Sequence, residues 1–136
     1  MKNNTPKVLI IDDDPGVLFL HEIIVTENNL HPKPSTFFDA KNALNYILSI
    51  DEGVNRILIF LDINMPKMNG WEFLDRLVRK IKHLDIKVIM VTSSLNRNER
   101  EKAKEYEIII DFWEKPMDED QVSGLIQKLE SWLKGH

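Results

Sequence analysis

The segment KVLIIDDDPG, residues 7–16, joins four consecutive apolar residues to three consecutive aspartates and then to Pro-Gly. An apolar run without polar alternation is typical of a strand that is buried on both faces of a sheet. Pro15 and Gly16 end this strand, and apolar residues at helical spacing follow them. Three adjacent carboxylates repel one another unless water or a positive charge separates them. The segment therefore predicts either a solvated turn or a site that holds a cation.

The same alternation of a short apolar run with a helical pattern occurs five times along the chain. The predicted strands are residues 8–11, 35–38, 56–61, 87–91 and 108–112. The predicted helices are residues 15–28, 40–50, 71–82, 96–107 and 118–134. Apolar strands that are joined by helices run parallel, with right-handed crossovers. The sequence thus predicts an α/β fold, a doubly wound five-stranded parallel sheet with five helices on its two faces.

Composition and length indicate one ordinary globular domain. The chain has 136 residues, of which 43% are hydrophobic and 29% are charged, so we expect a single domain over 1–136 with its core at about 7–134. The net charge of −4 argues against a nucleic-acid-binding groove. No segment is apolar for long enough to suggest a signal peptide or a membrane span, which favours a cytoplasmic protein. Because only Gly135 and His136 follow the last predicted helix, we expect no output domain.

Polar side chains follow four of the predicted strands, at the point where each strand ends. They are Asp12 to Asp14 after the first strand, Asp62 after the third, Thr92 after the fourth and Lys115 after the fifth. In a parallel α/β sheet the carboxyl ends of the strands meet at one edge, where such proteins bind ligands. We therefore expect these groups to lie close together in one site.

The chemistry of these groups points to phosphoryl transfer. Oxygen ligands without histidine or cysteine favour a hard cation, Mg²⁺ first and Mn²⁺ as a possible substitute. An ionised aspartate beside such a cation can attack phosphorus and form an aspartyl phosphate. The ammonium of Lys115 and the hydroxyl of Thr92 are suited to stabilising the phosphoryl oxygens.

Four segments together resemble the receiver domains of two-component response regulators. They are IIDDDP at 10–15, LDINMPKMNGWEFL at 61–74, VIMVTSS at 88–94 and DFWEKP at 111–116. The resemblance covers essentially the whole chain, and it implies a flavodoxin-like receiver fold of the stand-alone, chemotaxis-regulator type. This fold agrees with the one predicted from the alternation of strands and helices.

The resemblance also implies a role for individual residues. Asp62 would be the phosphoacceptor. Mg²⁺ would be bound by Asp12, Asp13, Asp62 and the backbone carbonyl of Asn64. The phosphoryl oxygens would contact Thr92 and Lys115. Phe112 would be the switch aromatic whose rotamer responds to phosphorylation, and the Lys115–Pro116 bond would be cis.

The implied function is that of a signalling switch rather than an enzyme. A sensor histidine kinase or a histidine phosphotransfer protein would donate the phosphoryl group, which the domain would lose by slow autodephosphorylation. The output would be a phosphorylation-dependent surface for an unidentified protein target, with the chain a monomer or a phosphorylation-dependent dimer. None of the four histidines lies in a pattern that indicates a phosphodonor; they are His21, His31, His83 and His136.

Two other functions are consistent with part of the pattern. A degenerate receiver could act as a constitutive protein-binding module, although the complete set of acidic, hydroxyl and amine groups argues against it. A metal-dependent phosphohydrolase could use Asp62 as its covalent nucleophile. Such an enzyme commonly has a second carboxylate two residues later as general acid, where this chain has Asn64.

Five positions outside this set carry separate expectations. Ile108 and Ile109 stand where receivers usually have Gly-Ala before the switch aromatic. An isoleucine with positive φ would be strained by about 1–3 kcal/mol, so the fourth helix is expected to end differently. Trp113 is expected to pack against a helix. Asp14 and Asp39 are expected to be N-caps.

Overall fold

The computed structural model describes residues 5–52, 55–93 and 96–135. Its centre is one sheet of five strands in the order β2-β1-β3-β4-β5, in which every neighbouring pair is parallel. The strands are β1 Lys7–Ile11, β2 Ser35–Phe37, β3 Arg56–Leu61, β4 Asp85–Thr92 and β5 Ile109–Glu114. All five lie where the sequence predicted them, and no end differs from its prediction by more than two residues.

Helices cover both faces of this sheet. Their bounds are α1 Pro15–Glu27, α2 Ala40–Ser49, α3 Gly70–Lys80, α4 Arg97–Ala103, α5 Glu119–Lys128 and α6 Glu130–Lys134. Side chains of α1 and α5 pack on one face and those of α2, α3 and α4 on the other. Successive strand residues point to opposite faces, so Leu58 joins the first of these cores and Ile59 the second. The prediction of a doubly wound parallel fold is confirmed.

The chain has six helices within its described residues, whereas the sequence predicted five. The predicted helix over 118–134 is interrupted at Leu129, whose φ of −102° and ψ of 17° lie outside helical values. After this bend the Trp132 indole donates to Asp85 and the Trp132 carbonyl accepts from Arg56, which holds α6 against the amino end of the sheet. The five-helix prediction was wrong because apolar spacing continues through the bend and gives no signal of it.

The fourth helix ends at Ala103, four residues before its predicted end. Beyond it the backbone N–H groups of Glu105 and Tyr106 donate to carbonyls three residues earlier, so the chain turns out of the helix. Among the described non-glycine residues only Asn29 and Lys67 have positive φ. The expectation that this helix ends without a strained isoleucine is therefore confirmed.

The expected caps and the packing of Trp113 are also confirmed. Asp14 accepts from the N–H groups of Gly16 and Val17 at 2.9 and 3.3 Å, and Asp39 accepts at the start of α2. Trp113 is only 6% exposed and packs within the core beneath α1 and α5. No helix in the described ranges is long and apolar enough to cross a membrane.

Candidate acidic site at the carboxyl edge of the sheet

The groups that the sequence placed at the strand ends lie side by side in the structure. Asp12 follows β1, Asp62 follows β3, Thr92 ends β4 and Lys115 follows β5. Backbone hydrogen bonds extend the sheet into these positions: the Asp62 N–H donates to the Ile11 carbonyl at 3.0 Å, and the Lys115 N–H donates to the Thr92 carbonyl at 2.7 Å. The register of the parallel strands therefore fixes the relative positions of the four residues.

A partly buried cation lies between two buried carboxylates. The Nζ atom of Lys115 is 2.7 Å from Oδ2 of Asp12 and 3.1 Å from Oδ1 of Asp62. Asp12 and Asp62 are only 2% and 3% exposed, and Thr92 is fully buried. The ammonium explains in part how the carboxylates can be crowded together, since its single positive charge lies within ion-pair distance of two groups that would otherwise repel.

Asp13 completes a group of three carboxylates that fits a divalent cation. Carboxylate oxygens of Asp12, Asp13 and Asp62 lie within 4.8 Å of one another, and Asp13 is the exposed member. Mg²⁺ binds oxygen ligands, uses one or two carboxylates and retains several waters. An oxygen-only site with one exposed ligand suits this coordination. Asn64 lies in the loop two residues after Asp62 and is exposed; the role of its carbonyl stays a prediction.

The electrostatics of the site disfavour the ionised form of Asp62. Burial, reinforced by the nearby charge of Asp12, raises the pKa of Asp62 to about 6, although the cation of Lys115 acts in the opposite direction. Burial alone would lower the pKa of Lys115, but its hydrogen bond to Asp12 and the charges of both carboxylates raise it. A strongly shifted carboxyl such as Asp62, beside a charged partner in the same site, is typical of functional centres.

The loop after Asp62 brings the first turn of α3 against the backbone of the site. The Gly70 N–H donates to the Ile63 carbonyl at 2.8 Å. A Cβ atom at Gly70 would lie only 2.6 Å from the carbonyl oxygen of Asp62. Glycine is therefore required here because of a close backbone approach, which the sequence pattern NMPKMNG indicated only as a turn.

Trp71 links the start of α3 to α4, a contact that sequence reasoning missed. Its indole Nε1 donates to Glu99 at 2.8 Å, and the Nζ atom of Lys102 lies 5.1 Å from its ring centroid. The ring of Tyr106 stacks on it at 5.5 Å. Because the partners are about 30 residues away in sequence, no local pattern could have indicated this cluster.

Phe112, the predicted switch aromatic, lies beside α4. It is half-buried and packs against the core beneath α2, α3 and α4. It also lines a cleft of about 440 Å³, which is lined as well by Arg97 and Arg100 of α4. The structure thus places an aromatic ring next to open volume on the face formed by α4 and β5.

The segment after Lys115 contains the cis bond that the resemblance implied and, beyond it, a contact that the sequence did not indicate. The Lys115–Pro116 peptide bond is cis. The next backbone N–H, that of Met117, donates to Nε2 of His21 at 3.1 Å. His21 lies in α1 and is 1% exposed, whereas the sequence placed it only as one position of a helical pattern.

The fold and the site define a family. The sequence model of one protein family, the response regulator receiver domain, matches residues 8–127, which is most of the chain. The chain therefore belongs to the response regulator receiver family, whose members act in two-component phosphorelay signalling.

Individual relatives agree with this assignment. Sporulation initiation phosphotransferase F of Bacillus subtilis (strain 168) is 30% identical over 123 residues, which are 90% of this chain and 91% of that protein. A protein-glutamate methylesterase/protein-glutamine glutaminase of Agrobacterium fabrum is 33% identical over 91 residues, which are 67% of this chain but only 24% of that protein. A two-component response regulator structure from Legionella pneumophila superposes with a TM-score of 0.76 at 28% identity, covering 93% of this chain and 99% of that one.

Proposed function

We propose that this chain accepts a phosphoryl group on Asp62 in a Mg²⁺-dependent reaction. The donor is a sensor histidine kinase or a histidine phosphotransfer protein, and the output is a protein-binding surface that changes on phosphorylation. One observation carries the proposal: the buried carboxylate of Asp62 lies 3.1 Å from the Lys115 ammonium and within one group of oxygens with Asp12 and Asp13. The phosphotransferase relative, which spans nearly the same length, supports it.

The reaction is a substitution at phosphorus. A carboxylate oxygen of Asp62 attacks the phosphorus of a phosphohistidine, an O–P bond forms and the P–N bond breaks. The electron pair of the broken bond stays on the imidazole nitrogen. The donor imidazole, already protonated on its other ring nitrogen, leaves as neutral histidine. The product is an acyl phosphate on Asp62.

The surrounding residues hold the reactants and offset charge. Asp12 and Asp13, together with Asp62 and the carbonyl of Asn64, would hold Mg²⁺. When bound, this cation would neutralise charge on the phosphoryl oxygens, and Mn²⁺ would serve as a substitute. Lys115 contributes an ammonium that is already next to the attacking carboxylate, and it requires little reorganisation to reach a phosphoryl oxygen.

The response follows from charge added at one point. A phosphoryl group on Asp62 adds negative charge and strong hydrogen-bond acceptors, which draw the Thr92 hydroxyl toward it. Phe112, which borders the cleft beside α4, turns inward as β4 moves. The surface of α4 and β5 then differs between the two states and is recognised by a protein target.

Phosphoramidate, a small phosphodonor, tests the proposal without the natural kinase. The protein is incubated with phosphoramidate and Mg²⁺, and its intact mass is measured. We expect one added phosphoryl group, which is absent from Asp62→Asn and after chelation of the metal. Asp111→Asn is the matched control, because Asp111 is an exposed carboxylate of β5 with no proposed role in the reaction.

Two results would contradict the proposal. A folded wild-type protein that gains no mass would indicate a constitutive binding module. Rapid release of phosphate without a trapped adduct would indicate a phosphohydrolase.

A further inference from the structure

The loop between β5 and α5 carries Lys115, and hydrogen bonds that its backbone N–H groups donate fix it on both sides of Pro116. On one side the Lys115 N–H donates to the Thr92 carbonyl at 2.7 Å. On the other side the Met117 N–H donates to Nε2 of His21 at 3.1 Å. Met117 and His21 are each only 1% exposed. A side chain of α1 therefore holds one end of the segment that presents the ammonium.

His21 must be neutral to make this contact. An imidazole Nε2 that accepts a hydrogen bond carries no proton, so the proton of the neutral ring is on Nδ1. Burial, together with the nearby charge of Lys115, lowers the pKa of His21 to about 4, which keeps the ring neutral near pH 7. An apolar residue at this position would leave the buried Met117 N–H without its acceptor.

The helix that carries His21 also begins at the acidic part of the site. Asp14, the N-cap of α1, donates its backbone N–H to Oδ1 of Asp12 at 2.9 Å and accepts from the first turn of α1. One rigid helix thus contacts Asp12 at its start and the Lys115 loop about two turns later. The ion pair between Asp12 Oδ2 and Lys115 Nζ, at 2.7 Å, joins the two segments that this helix contacts.

We propose that His21 is a positioning residue for phosphoryl acceptance, acting through the backbone of Met117 to hold the Lys115 ammonium between Asp12 and Asp62. This inference rests on the proposed function, since it assigns His21 a role in the same reaction. A role as phosphodonor or metal ligand does not fit, because the ring is buried and its Nε2 atom already accepts from Met117.

The test compares His21→Leu with His21→Gln, whose amide oxygen can still accept a hydrogen bond. The initial rate of phosphorylation by phosphoramidate is measured at saturating Mg²⁺, and the Kd for Mg²⁺ alone is measured separately. We expect His21→Leu to lower the rate about tenfold, because small displacements of a charge-stabilising group are costly. Its Mg²⁺ affinity should not weaken, and His21→Gln should recover to within about threefold of the wild-type rate.

Val25→Ala controls for a general loss of stability. Val25 is a fully buried apolar residue of the same helix, and its side chain packs in the core beneath α1 and α5. It should lower the unfolding midpoint without changing the rate. A wild-type rate in His21→Leu, or equal losses in the Leu and Gln variants, would overturn the inference, and so would weakened Mg²⁺ binding in His21→Leu.

Lys115→Met separates this inference from the proposed function. A slow Lys115→Met protein together with a normal His21→Leu protein would refute only the positioning role of His21. A Lys115→Met protein with the wild-type rate would refute the proposed role of Lys115 and, with it, the role of His21. Slow variants at both positions, with recovery in His21→Gln, are the expected result.

Discussion

The two edges of the sheet place carboxylates in opposite environments. At the carboxyl edge, burial and the neighbouring Asp12 raise the pKa of Asp62 to about 6. At the amino edge, Asp51 accepts three backbone N–H bonds of 2.8 to 3.1 Å from the turn at 82–84. Although desolvation opposes them, these bonds lower the pKa of Asp51. Ionisation of Asp62 is therefore disfavoured in the folded protein, whereas the ionised form of Asp51 stabilises a turn.

Other contacts at the amino edge are also mutually satisfied. The Trp132 indole donates to Asp85 at 2.8 Å, and the cations of Lys87 and Arg56 lie 5.3 and 5.7 Å from its ring centroid. The acidic site at the carboxyl edge instead groups the carboxylates of Asp12, Asp13 and Asp62 with the ammonium of Lys115. Sites of function commonly keep such unfavourable arrangements at the expense of stability. Substitutions at the two edges should therefore separate phosphorylation from stability.

Gly70→Ala is expected to have the largest effect on stability. The new Cβ would lie 2.6 Å from the Asp62 carbonyl oxygen and 3.0 Å from Cα of Ile63, so the backbone of the site must move. We expect a loss of about 3 kcal/mol in the free energy of unfolding, typical of overpacking against a rigid neighbour. Phosphorylation by phosphoramidate should also slow, because the displaced atoms belong to Asp62. Urea unfolding and intact mass measure the two effects.

Gly124→Ala is the matched control, since a Cβ there would meet nothing within 4 Å. Gly124 lies within α5, and alanine is the better helix former by about 0.5–1 kcal/mol. The control should therefore gain stability. Equal stabilities for the two alanine variants would show that the close approach at Gly70 does not constrain the carboxyl edge.

The buried histidine predicts how stability depends on pH. The pKa of His21 falls from 6.5 to about 4 on folding, so between these values the unfolded chain binds a proton that the folded chain does not. Stability is therefore complete above pH 6.5 and falls as the pH is lowered toward 4. From pH 7 to pH 4.5 we expect His21 to reduce the free energy of unfolding by about 2–3 kcal/mol.

The comparison with His21→Gln isolates this effect. The raised pKa of Asp62 acts oppositely between about pH 6 and 3.8, because there the folded chain binds the extra proton, but this contribution is present in both proteins. Urea unfolding without metal at pH 7 and 4.5 should thus show the larger acid loss in the wild type. Equal losses in the two proteins would mean that His21 is not held neutral.

The sequence predicted what depends on local pattern and on parallel topology. Runs such as RILIFL (56–61) indicate buried strands, and parallel strands bring Asp62 and Lys115 to one edge whatever the details of packing. The cap at Asp14 is similarly local, because a side chain and the next N–H groups decide it. These features could be predicted because each depends on neighbours in sequence or on one rule about sheets.

What the sequence did not predict depends on contacts between distant residues. The bend at Leu129 places Trp132 against Asp85, which lies 47 residues earlier in the chain, while the apolar spacing continues unchanged. The hydrogen bond from Met117 to His21 spans 96 residues. In a helical pattern a histidine that fills the core and one that accepts a backbone N–H look the same.

Exchanging each carboxylate for its amide tests the contrast between the two edges directly. At pH 7 without metal, Asp62→Asn removes a buried carboxyl group whose pKa is raised, although it also removes the ion pair with Lys115. We expect a net gain of about 1–2 kcal/mol in the free energy of unfolding and complete loss of phosphorylation. Asp51→Asn should do the reverse: it lowers the unfolding midpoint, because a neutral amide is a weaker acceptor for three N–H groups, and it leaves the phosphorylation rate unchanged. Urea unfolding and the phosphoramidate reaction on both proteins provide the four values.

A loss of stability in Asp62→Asn would mean that the ammonium of Lys115 more than compensates the buried carboxylate. The carboxyl edge would then be as favourable to folding as the amino edge, and phosphoryl acceptance at Asp62 would not require a lower free energy of unfolding.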